Sequence, residues 1–285
     1  MAPQPKAAPA APVIKSMKEA LEPALHRFLV IGPTGAGKSG LIRTLPGKKL
    51  VYIFDPNTMP TIHGTADCDY AEFLPEFQEL DATLKGFNKD PKTGKTYLGD
   101  KPAEPIEPKL YETWREHFNA LVDSGAYEQY KWLCFDSATF LVKAMMDRIL
   151  YINNRYGDLT DRSDYRQVGD KLSDVFGKMS GLPVNMFLTA HMQTWQDEKT
   201  SRITTQIATP GNSRIMLPLS FTSVMEAIGD NGKYFLRTVP QAGAGNLKDI
   251  RTSIRGLLPV EDVTIKDFNR ATEYGIGALL KKGRK

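Results

Sequence analysis

The sequence predicts an α/β protein whose mostly parallel sheet is covered by helices on both faces. Short, nearly continuous apolar runs recur along the chain, and segments with apolar residues three and four positions apart lie between them. A strand of a parallel sheet is buried on both faces and is therefore apolar throughout, whereas an amphipathic helix is apolar on one side only. The alternation of the two patterns indicates helices packed over a parallel sheet.

The apolar runs predict five buried strands, and an alternating segment predicts a sixth strand at an edge of the sheet. The buried strands are expected at 27–31, 50–54, 132–135, 184–189 and 223–228, and the edge strand at 233–239. Helices are expected at 14–25, 70–84, 111–122, 140–156 and 165–179, and a further helix is expected to begin at 39–44.

Composition predicts one folded core at residues 23–258, with a segment before it and a segment after it. Residues 1–22 are rich in proline and alanine, so we expect a disordered tail that ends in a short helix. Residues 87–110 are polar and rich in proline and glycine, which predicts a surface insertion within the core. Residues 259–285 are expected to form a C-terminal extension with a basic tail.

The overall composition excludes several classes of protein. Hydrophobic residues make up 41% of the 285 residues and charged residues 25%, which is ordinary for a soluble globular protein. The net charge of +4 permits a nucleic-acid partner without requiring one. Cys68 and Cys134 match neither a disulfide framework nor a metal-ligand spacing, and the four histidines are scattered. No apolar run approaches the roughly 18 residues of a membrane span, and no secretory signal is present, so a cytoplasmic location without membrane association is expected.

A phosphate-binding loop is predicted where the first strand ends. Residues 32–39, GPTGAGKS, match the pattern G-x-x-x-x-G-K-[ST], which we call the P-loop. Its glycines let successive N–H groups point at a phosphate, Lys38 would reach the β- and γ-phosphates, and the Ser39 hydroxyl would bind Mg²⁺. The predicted ligand is therefore ATP with Mg²⁺. The predicted nucleotide-binding residues are Gly32, Pro33, Thr34, Gly35, Ala36, Gly37, Lys38, Ser39 and Gly40.

A carboxylate for the metal side of this site is predicted at Asp136. It follows the apolar run 132–135, and a P-loop site places an acidic residue at the end of another core strand to hold the water shell of Mg²⁺. The alternative is a helix cap, and both can hold if Ser137 caps while Asp136 faces the metal. Ser137 is not a second carboxylate, so the Asp-Glu pair typical of AAA+ proteins and many helicases is missing. No N-K-x-D stretch is present for guanine recognition, which argues against a GTPase.

Taken in order, these features resemble the RecA-like branch of P-loop ATPases. In particular, the chain is similar to the RecA-like single-strand-annealing and nucleotide-binding proteins of bacteriophages, over about residues 25–258. Beyond the P-loop, the resemblance is carried by the strand end Phe135-Asp136-Ser137, Asp164-Tyr165 at the start of a helix, and the segments 188–193 and 247–251. It implies a RecA-like P-loop NTPase core and, for a phage-encoded protein, the cytoplasm of the bacterial host.

The resemblance also implies roles for later residues. His191 or Gln193 would sense the γ-phosphate, the alternative being a polar cap on a buried strand. Residues 194–216 would contact DNA or a neighbouring protomer, although a solvated hairpin describes them equally well. Lys248 and Arg251 would be offered to the nucleotide of the adjacent protomer, where a cation offsets charge on the γ-phosphate, or would lie in an exposed charged turn. The cations of the predicted DNA-contacting segment are Lys199, Arg202 and Arg214.

One departure from the family pattern concerns hydrolysis. RecA-like ATPases place a glutamate just past the second core strand to activate the attacking water, but here that stretch contains Asp55 and Asn57. Asp55 could substitute as the base, whereas an asparagine can orient a water but cannot take its proton. ATP hydrolysis is therefore expected to be slow or to depend on assembly.

Three functions are compatible with these observations. The favoured one is an ATP-binding protein that forms a ring or filament on single-stranded DNA and promotes annealing or strand exchange, with a single-strand DNA-binding protein or a helicase as further partners. The second is a nucleotide-gated protein-interaction factor, such as a helicase loader or packaging factor, with weak hydrolysis. The third is a small-molecule kinase whose lid would be residues 155–167, which ranks last.

Overall fold

The computed structural model of the protein describes residues 25–75, 87–90, 92–98, 107–156, 159–196, 201, 203–209, 213–241 and 247–283. The predicted tail at 1–22 lies outside these residues, as do residues 14–24 of the first predicted helix.

A mixed sheet of nine strands forms the centre of the described structure, in the order β11-β10-β9-β1-β7-β6-β2-β3, with β8 paired to β7. Strands β9 through β3 in this order are parallel, whereas β10, β11 and β8 are antiparallel to their neighbours. Strands β4 and β5 pair as a separate hairpin within the predicted insertion. The strands are β1 Arg27–Gly32, β2 Lys49–Ile53, β3 Cys68–Glu72, β4 Phe87–Lys89, β5 Thr96–Leu98, β6 Trp132–Asp136, β7 Asn185–Gln196, β8 Ile203–Ile207, β9 Ser223–Asp230, β10 Lys233–Arg237 and β11 Val260–Asp262.

Helices cover both faces of the sheet. The α-helices are α1 Thr58–Ile62, α2 Leu110–Asp123, α3 Ala138–Ile152, α4 Arg162–Ser180, α5 Ser213–Leu219 and α6 Gly275–Lys282. Shorter 3-10 helices are Ser39–Thr44, Ala126–Gln129 and Phe268–Glu273. Within the described parts of the chain, no helix is both long and apolar enough to cross a membrane.

Two apolar clusters lie on opposite faces of the sheet because side chains alternate along each strand. In β1, Leu29 and Ile31 belong to the cluster that includes residues of α2, α3 and α4. Phe28 and Val30 belong to the other cluster, which includes residues of the 3-10 helix Ser39–Thr44 and of α6. The prediction of an α/β fold with a mostly parallel sheet covered on both faces is therefore confirmed.

The structure corrects the sequence prediction at three places. Residues 70–72, predicted as part of a helix at 70–84, lie in β3, an outer strand whose partly exposed side chains do not form an apolar run. The segment predicted as an edge strand is β10, which lies one strand inside the edge, because the three-residue β11 pairs with it. The helix after the P-loop is a 3-10 helix that ends at Thr44, just before Pro46, a residue that opposes helix continuation.

The segment predicted as a C-terminal extension packs against the core. β11 joins the sheet, and Ile276 and Leu279 of α6 are buried. The backbone N–H of Ile276 donates a hydrogen bond to Thr44 Oγ1 at 3.0 Å, so α6 is tied to the 3-10 helix that follows the P-loop. The division of the chain at residue 258 stays a prediction.

Candidate nucleotide site

The carboxyl ends of four neighbouring parallel strands bring the predicted site residues to one edge of the sheet. Gly32, at the end of β1, pairs in register with His191 of β7. Ile53, at the end of β2, pairs with Asp136 of β6, and Asp55 follows two residues later. Ligands of open α/β sheets bind outside the carboxyl ends of the strands, so this edge is the candidate nucleotide site.

The glycines of the P-loop lie where a side chain would be strained or would clash. Gly35 and Gly37 both have φ of +80°, a conformation that favours glycine. A Cβ at Gly32 would lie 2.7 Å from the carbonyl oxygen of Ala227 in β9, and a Cβ at Gly37 would lie 2.6 Å from the ring of Tyr234. Glycine at these positions therefore allows both the turn of the loop and its close contact with β9 and β10.

Lys38 is folded across its own loop. Its ammonium donates hydrogen bonds to the carbonyl oxygens of Gly32 at 3.0 Å and Pro33 at 2.7 Å. Burial lowers the pKa of Lys38, and the negative charges of Asp136 and Asp55 partly oppose that shift. The Lys38 ammonium is thus a poorly solvated cation, and an added anion such as a phosphate would offset the cost of its burial.

Asp136 is fixed by hydroxyl donors from two other elements. Its carboxylate is only 1% exposed. Thr58 Oγ1, in α1, donates to Oδ2 at 2.8 Å, and Thr189 Oγ1, in β7, donates to Oδ1. Each carboxylate oxygen keeps capacity for another donor, so Asp136 can also hold a water molecule.

The residues present fit a magnesium ion held largely by phosphates and water. Among the described residues, no group of three or more His, Cys, Asp or Glu side chains could hold a metal ion. Mg²⁺ in nucleotide sites needs no such cage, since it keeps several waters and takes one or two protein groups together with substrate phosphates. Ser39, beside Lys38, and Asp136 are the groups that would hold it, the second through water.

Ser137 does not cap α3 as the sequence suggested. It occupies the N-cap position, but its side chain makes no cap hydrogen bond. Its hydroxyl oxygen is buried and has no hydrogen-bond partner in the part of the chain that the structure describes. Ser137 therefore adds unused hydrogen-bonding capacity directly after Asp136.

The carboxylate of Asp55 and the ring of His191 lie near each other in the site. Asp55 Oδ1 accepts hydrogen bonds from the backbone N–H of Asn57 at 2.9 Å and from its side-chain amide at 3.1 Å. Asp55 Oδ2 lies 3.9 Å from His191 Nε2, too far for a hydrogen bond. Asn57 thus holds the carboxylate of Asp55, whose second oxygen points toward His191.

His191 is half-buried and is set to be neutral at neutral pH. Burial lowers its pKa below the ordinary value, and the positive charge of Lys38 lowers it further, against the opposing charges of Asp55 and Asp136. Its backbone N–H donates to Thr139 Oγ1 at 3.0 Å, and its ring meets that of Phe140 edge to face. His191 is therefore placed as a polar, uncharged group close to Lys38 and Asp55.

The other predicted residues of β7 and its hairpin lie beyond this cluster. Gln193 is exposed and pairs with Gln206 where β7 leaves the main sheet to pair with β8. Arg214 is half-buried in α5. Lys199 and Arg202 lie outside the described residues.

Arg251 is engaged within its own chain. Its guanidinium donates to the carbonyl oxygens of Asp249, Pro218 and Phe221. Its backbone pairs with Val224, which stands at the level of Leu29, about 10 Å before the P-loop along β1. Lys248 is exposed nearby. The structure does not bring this pair to the P-loop of the same chain, and a role toward a neighbouring protomer stays a prediction.

Three residues of the site were missed from the sequence. Thr189 stands two positions before His191, so the two-residue period of a strand could have indicated that both face the same side. Thr58 and Tyr234 reach the site only through the order of the strands, and no local pattern marks them.

Comparison with known protein families gives a match that spans the P-loop. A family model described as an AAA domain matches residues 25–243, which include the P-loop and strands β1 to β10. The structure is similar to the flagellar accessory protein FlaH from Methanocaldococcus jannaschii, with 9% sequence identity, a TM-score of 0.36 and coverage of 85% of each chain. No curated protein matches the chain.

Proposed function

The chain belongs to the AAA domain family of P-loop NTPases, and on that premise we propose that it is an ATPase that acts on single-stranded DNA, assembled as a ring or filament, in annealing or strand exchange. One observation carries the proposal: β7 contributes both Thr189 and His191 to the site and then continues into the β7–β8 hairpin. The nucleotide site is thus joined by one strand to the segment expected to contact DNA.

Nucleotide binding rests on the P-loop and Lys38. The Lys38 ammonium would exchange the carbonyl oxygens of Gly32 and Pro33 for phosphate oxygens, which offset its charge better than neutral carbonyls do. Magnesium, when bound, neutralises phosphate charge and orients the transferred group. Ser39 and Asp136 would hold it, and Thr58 and Thr189 keep the Asp136 carboxylate in place.

Hydrolysis requires a base for the attacking water, and Asp55 would take that role. In the proposed step, the water oxygen forms a bond to the γ-phosphorus, the bond from that phosphorus to the β–γ bridging oxygen breaks, and Asp55 Oδ2 takes the proton. Asn57 orients the carboxylate through Oδ1 and leaves Oδ2 free for this role. Because a carboxylate is a weak base, turnover is expected to be slow without a partner.

His191 would couple the nucleotide to the hairpin. It lies close enough to Lys38 and Asp55 for their charges to act on its pKa, so a change in charge at the γ-phosphate would alter its hydrogen bonding. Directly after His191, β7 is already paired with β8, so a shift of the strand would reach the residues between the two strands, which include Lys199 and Arg202. Those cations would bind DNA through its phosphates.

DNA binding is tested by fluorescence anisotropy of a labelled single strand with Mg²⁺ and a non-hydrolysable ATP analogue. The double variant Lys199→Ala, Arg202→Ala is expected to weaken binding at least tenfold and to reduce the salt dependence, since two phosphate contacts are lost. The matched control is Arg166→Ala with Lys266→Ala, two exposed cations on other elements, and it should bind as the wild type does. Equal affinities of all three proteins would contradict the DNA role of the hairpin. A wild-type protein that binds ATP but no DNA would favour the nucleotide-gated protein-interaction factor.

A further inference from the structure

A cleft beside the P-loop has no assigned role. It lies between loop residues 33–36 and the turn that joins β9 to β10, and it has a volume of about 270 Å³. Small-molecule sites usually measure about 300–1,000 Å³, so this cleft suits one part of a nucleotide rather than a whole ligand.

The turn that forms one wall of the cleft is rigidly placed. Asn231 and Gly232 have φ of 48° and 77°, the combination that a tight two-residue hairpin requires. Asp230 and Lys233 pair directly before and after it. β9 is itself paired with β1, the strand that carries the P-loop, so the turn and the loop are held at a constant separation.

Two contacts bring this hairpin against the P-loop. A Cβ at Gly37 would lie 2.6 Å from Tyr234 Cδ1, so the Tyr234 ring packs on the loop backbone. A Cβ at Gly229 would lie 3.2 Å from the carbonyl oxygen of Gly35. Tyr234 nevertheless stays 36% exposed, so part of its ring is open to a ligand at the mouth of the cleft.

The side chains around the cleft match the chemistry of a nucleoside. An exposed tyrosine ring offers a stacking surface for a base, and such stacking needs no particular hydrogen-bond pattern. The Asp230 carboxylate accepts a hydrogen bond from the Asn231 side-chain amide at 2.9 Å and has oxygen lone pairs left. In the dinucleotide sites of doubly wound folds a carboxylate accepts a hydrogen bond from a ribose hydroxyl, and Asp230 could do the same here.

We propose that this cleft is the nucleoside subsite of the phosphate site, in which Tyr234 stacks against the purine base and Asp230 accepts hydrogen bonds from the ribose hydroxyls. The inference rests on the proposed nucleotide binding and adds the residues that distinguish a nucleoside triphosphate from triphosphate alone. Tyr234 thereby has two neighbours, the P-loop backbone on one side and the base on the other.

Calorimetric titration of the full chain with Mg·ATP and with Mg·tripolyphosphate tests the base contact. Tyr234→Leu is expected to weaken ATP binding about tenfold, because a stacking surface is lost, and to leave tripolyphosphate binding within about twofold. Tyr234→Phe keeps the ring and should bind both ligands as the wild type does. An equal loss of both ligands in Tyr234→Leu would show that the ring only braces the P-loop, and unchanged ATP affinity would show no contact at all. Either result overturns the inference while the proposed function stands.

A second variant tests the ribose contact without touching the P-loop. Asp230→Asn is expected to weaken ATP binding about fivefold and to leave the binding of 2′,3′-dideoxy-ATP unchanged, since that ligand lacks both hydroxyls. An equal effect on the two nucleotides would overturn the ribose assignment. A wild-type protein that binds neither ATP nor tripolyphosphate would overturn the proposed function itself and this inference with it.

Discussion

The carboxylate of Asp136 is buried at the end of a strand, where an ionised group is costly unless it is well hydrogen-bonded. Thr58 and Thr189 supply one donor to each of its oxygens. The two hydroxyls come from elements far apart in the sequence and meet only at the carboxyl edge of the sheet. The order of the strands therefore brings the two hydroxyl donors to Asp136 and stabilises its buried carboxylate.

Thr189→Val removes one of these donors and keeps the shape of the side chain. We expect the free energy of unfolding to fall by about 1–3 kcal/mol, because the buried carboxylate loses a hydrogen bond that nothing replaces. Urea denaturation measures the change. Thr194→Val is the matched control on the same strand, since its hydroxyl pairs with Thr205 at an exposed position, and it should change stability by about 0.5 kcal/mol at most. Equal effects of the two substitutions would contradict the account.

The titration of His191 can be followed by NMR of its imidazole signals, assigned with His191→Gln. Its pKa is expected below the ordinary value of 6.5, and Asp55→Asn should lower it further, because the Asp55 charge favours the protonated ring. Since the folded-state pKa lies below the unfolded one, this residue makes the free energy of unfolding decrease as the pH falls through about 6.5 and stop decreasing below the folded-state pKa. A pKa that rises in Asp55→Asn would contradict the arrangement.

Among single residues, the sequence predicts those site residues that a short contiguous pattern marks. Lys38 and Ser39 belong to a contiguous motif, and Asp136 ends an apolar run, so each could be named without the structure. Thr58 and Tyr234 could not, because their contacts depend on which strands are neighbours in the sheet. Ser137 looked like a cap, but its buried hydroxyl makes no bond to the helix backbone.

Among the elements, the end of α5 and the residues that follow it are held by Arg251. Its guanidinium donates to carbonyl oxygens of Pro218 and Phe221 at the end of α5, where helix carbonyls lack partners within the helix. Lys248 is a nearby exposed cation, so its substitution is a suitable control for the substitution of Arg251.

Arg251→Met is expected to lower the free energy of unfolding by about 1–3 kcal/mol, because carbonyl groups at the end of α5 lose their donor. Lys248→Met should have little effect. Urea denaturation of both variants measures this, and equal stabilities would contradict the structural role. ATP turnover in the same variants tests the role toward a neighbouring protomer: a loss of turnover in Arg251→Met, with ATP affinity unchanged, would support it.

The central strands β1, β2, β6 and β9 match their predicted positions within about two residues, because burial on both faces demands a continuous apolar run. The outer strands have weaker sequence patterns, because they are only partly buried. β3 is partly exposed and was predicted as a helix, and β11 has only three residues and was not predicted. β7 extends to Gln196, whereas the apolar run predicted an end near 189. The second half of β7 is polar, so no apolar run marks it, and it is stabilised by pairing with β8.

For the molecule as a whole, the C-terminal segment closes one face of the core. A Cβ at Gly277 would lie 2.8 Å from the carbonyl oxygen of Thr44 and 2.1 Å from that of Thr272, so α6 approaches the 3-10 helix behind the P-loop too closely for a side chain. The sequence predicts an extension at 259–285, and close packing of this kind depends on tertiary contacts that no local sequence pattern displays.

Gly277→Ala is therefore expected to destabilise the protein by about 1–3 kcal/mol, through the backbone shift that the added methyl group requires. Gly169→Ala is the control. Gly169 lies within α4 with no atom near the added methyl group, and the change should stabilise the protein by about 0.5–1 kcal/mol. Thermal unfolding followed by circular dichroism gives both values. Stabilisation by both substitutions would contradict the packing of α6.

We propose an ATPase whose nucleotide site communicates with single-stranded DNA, and ATP turnover by the purified chain with and without single-stranded DNA tests this, alongside Lys38→Ala and Asp55→Asn. We expect slow turnover that DNA stimulates, loss of ATP binding in Lys38→Ala, and retained binding with at least a hundredfold slower turnover in Asp55→Asn. ATP binding without turnover or DNA affinity, or full activity in Asp55→Asn, would contradict this proposal.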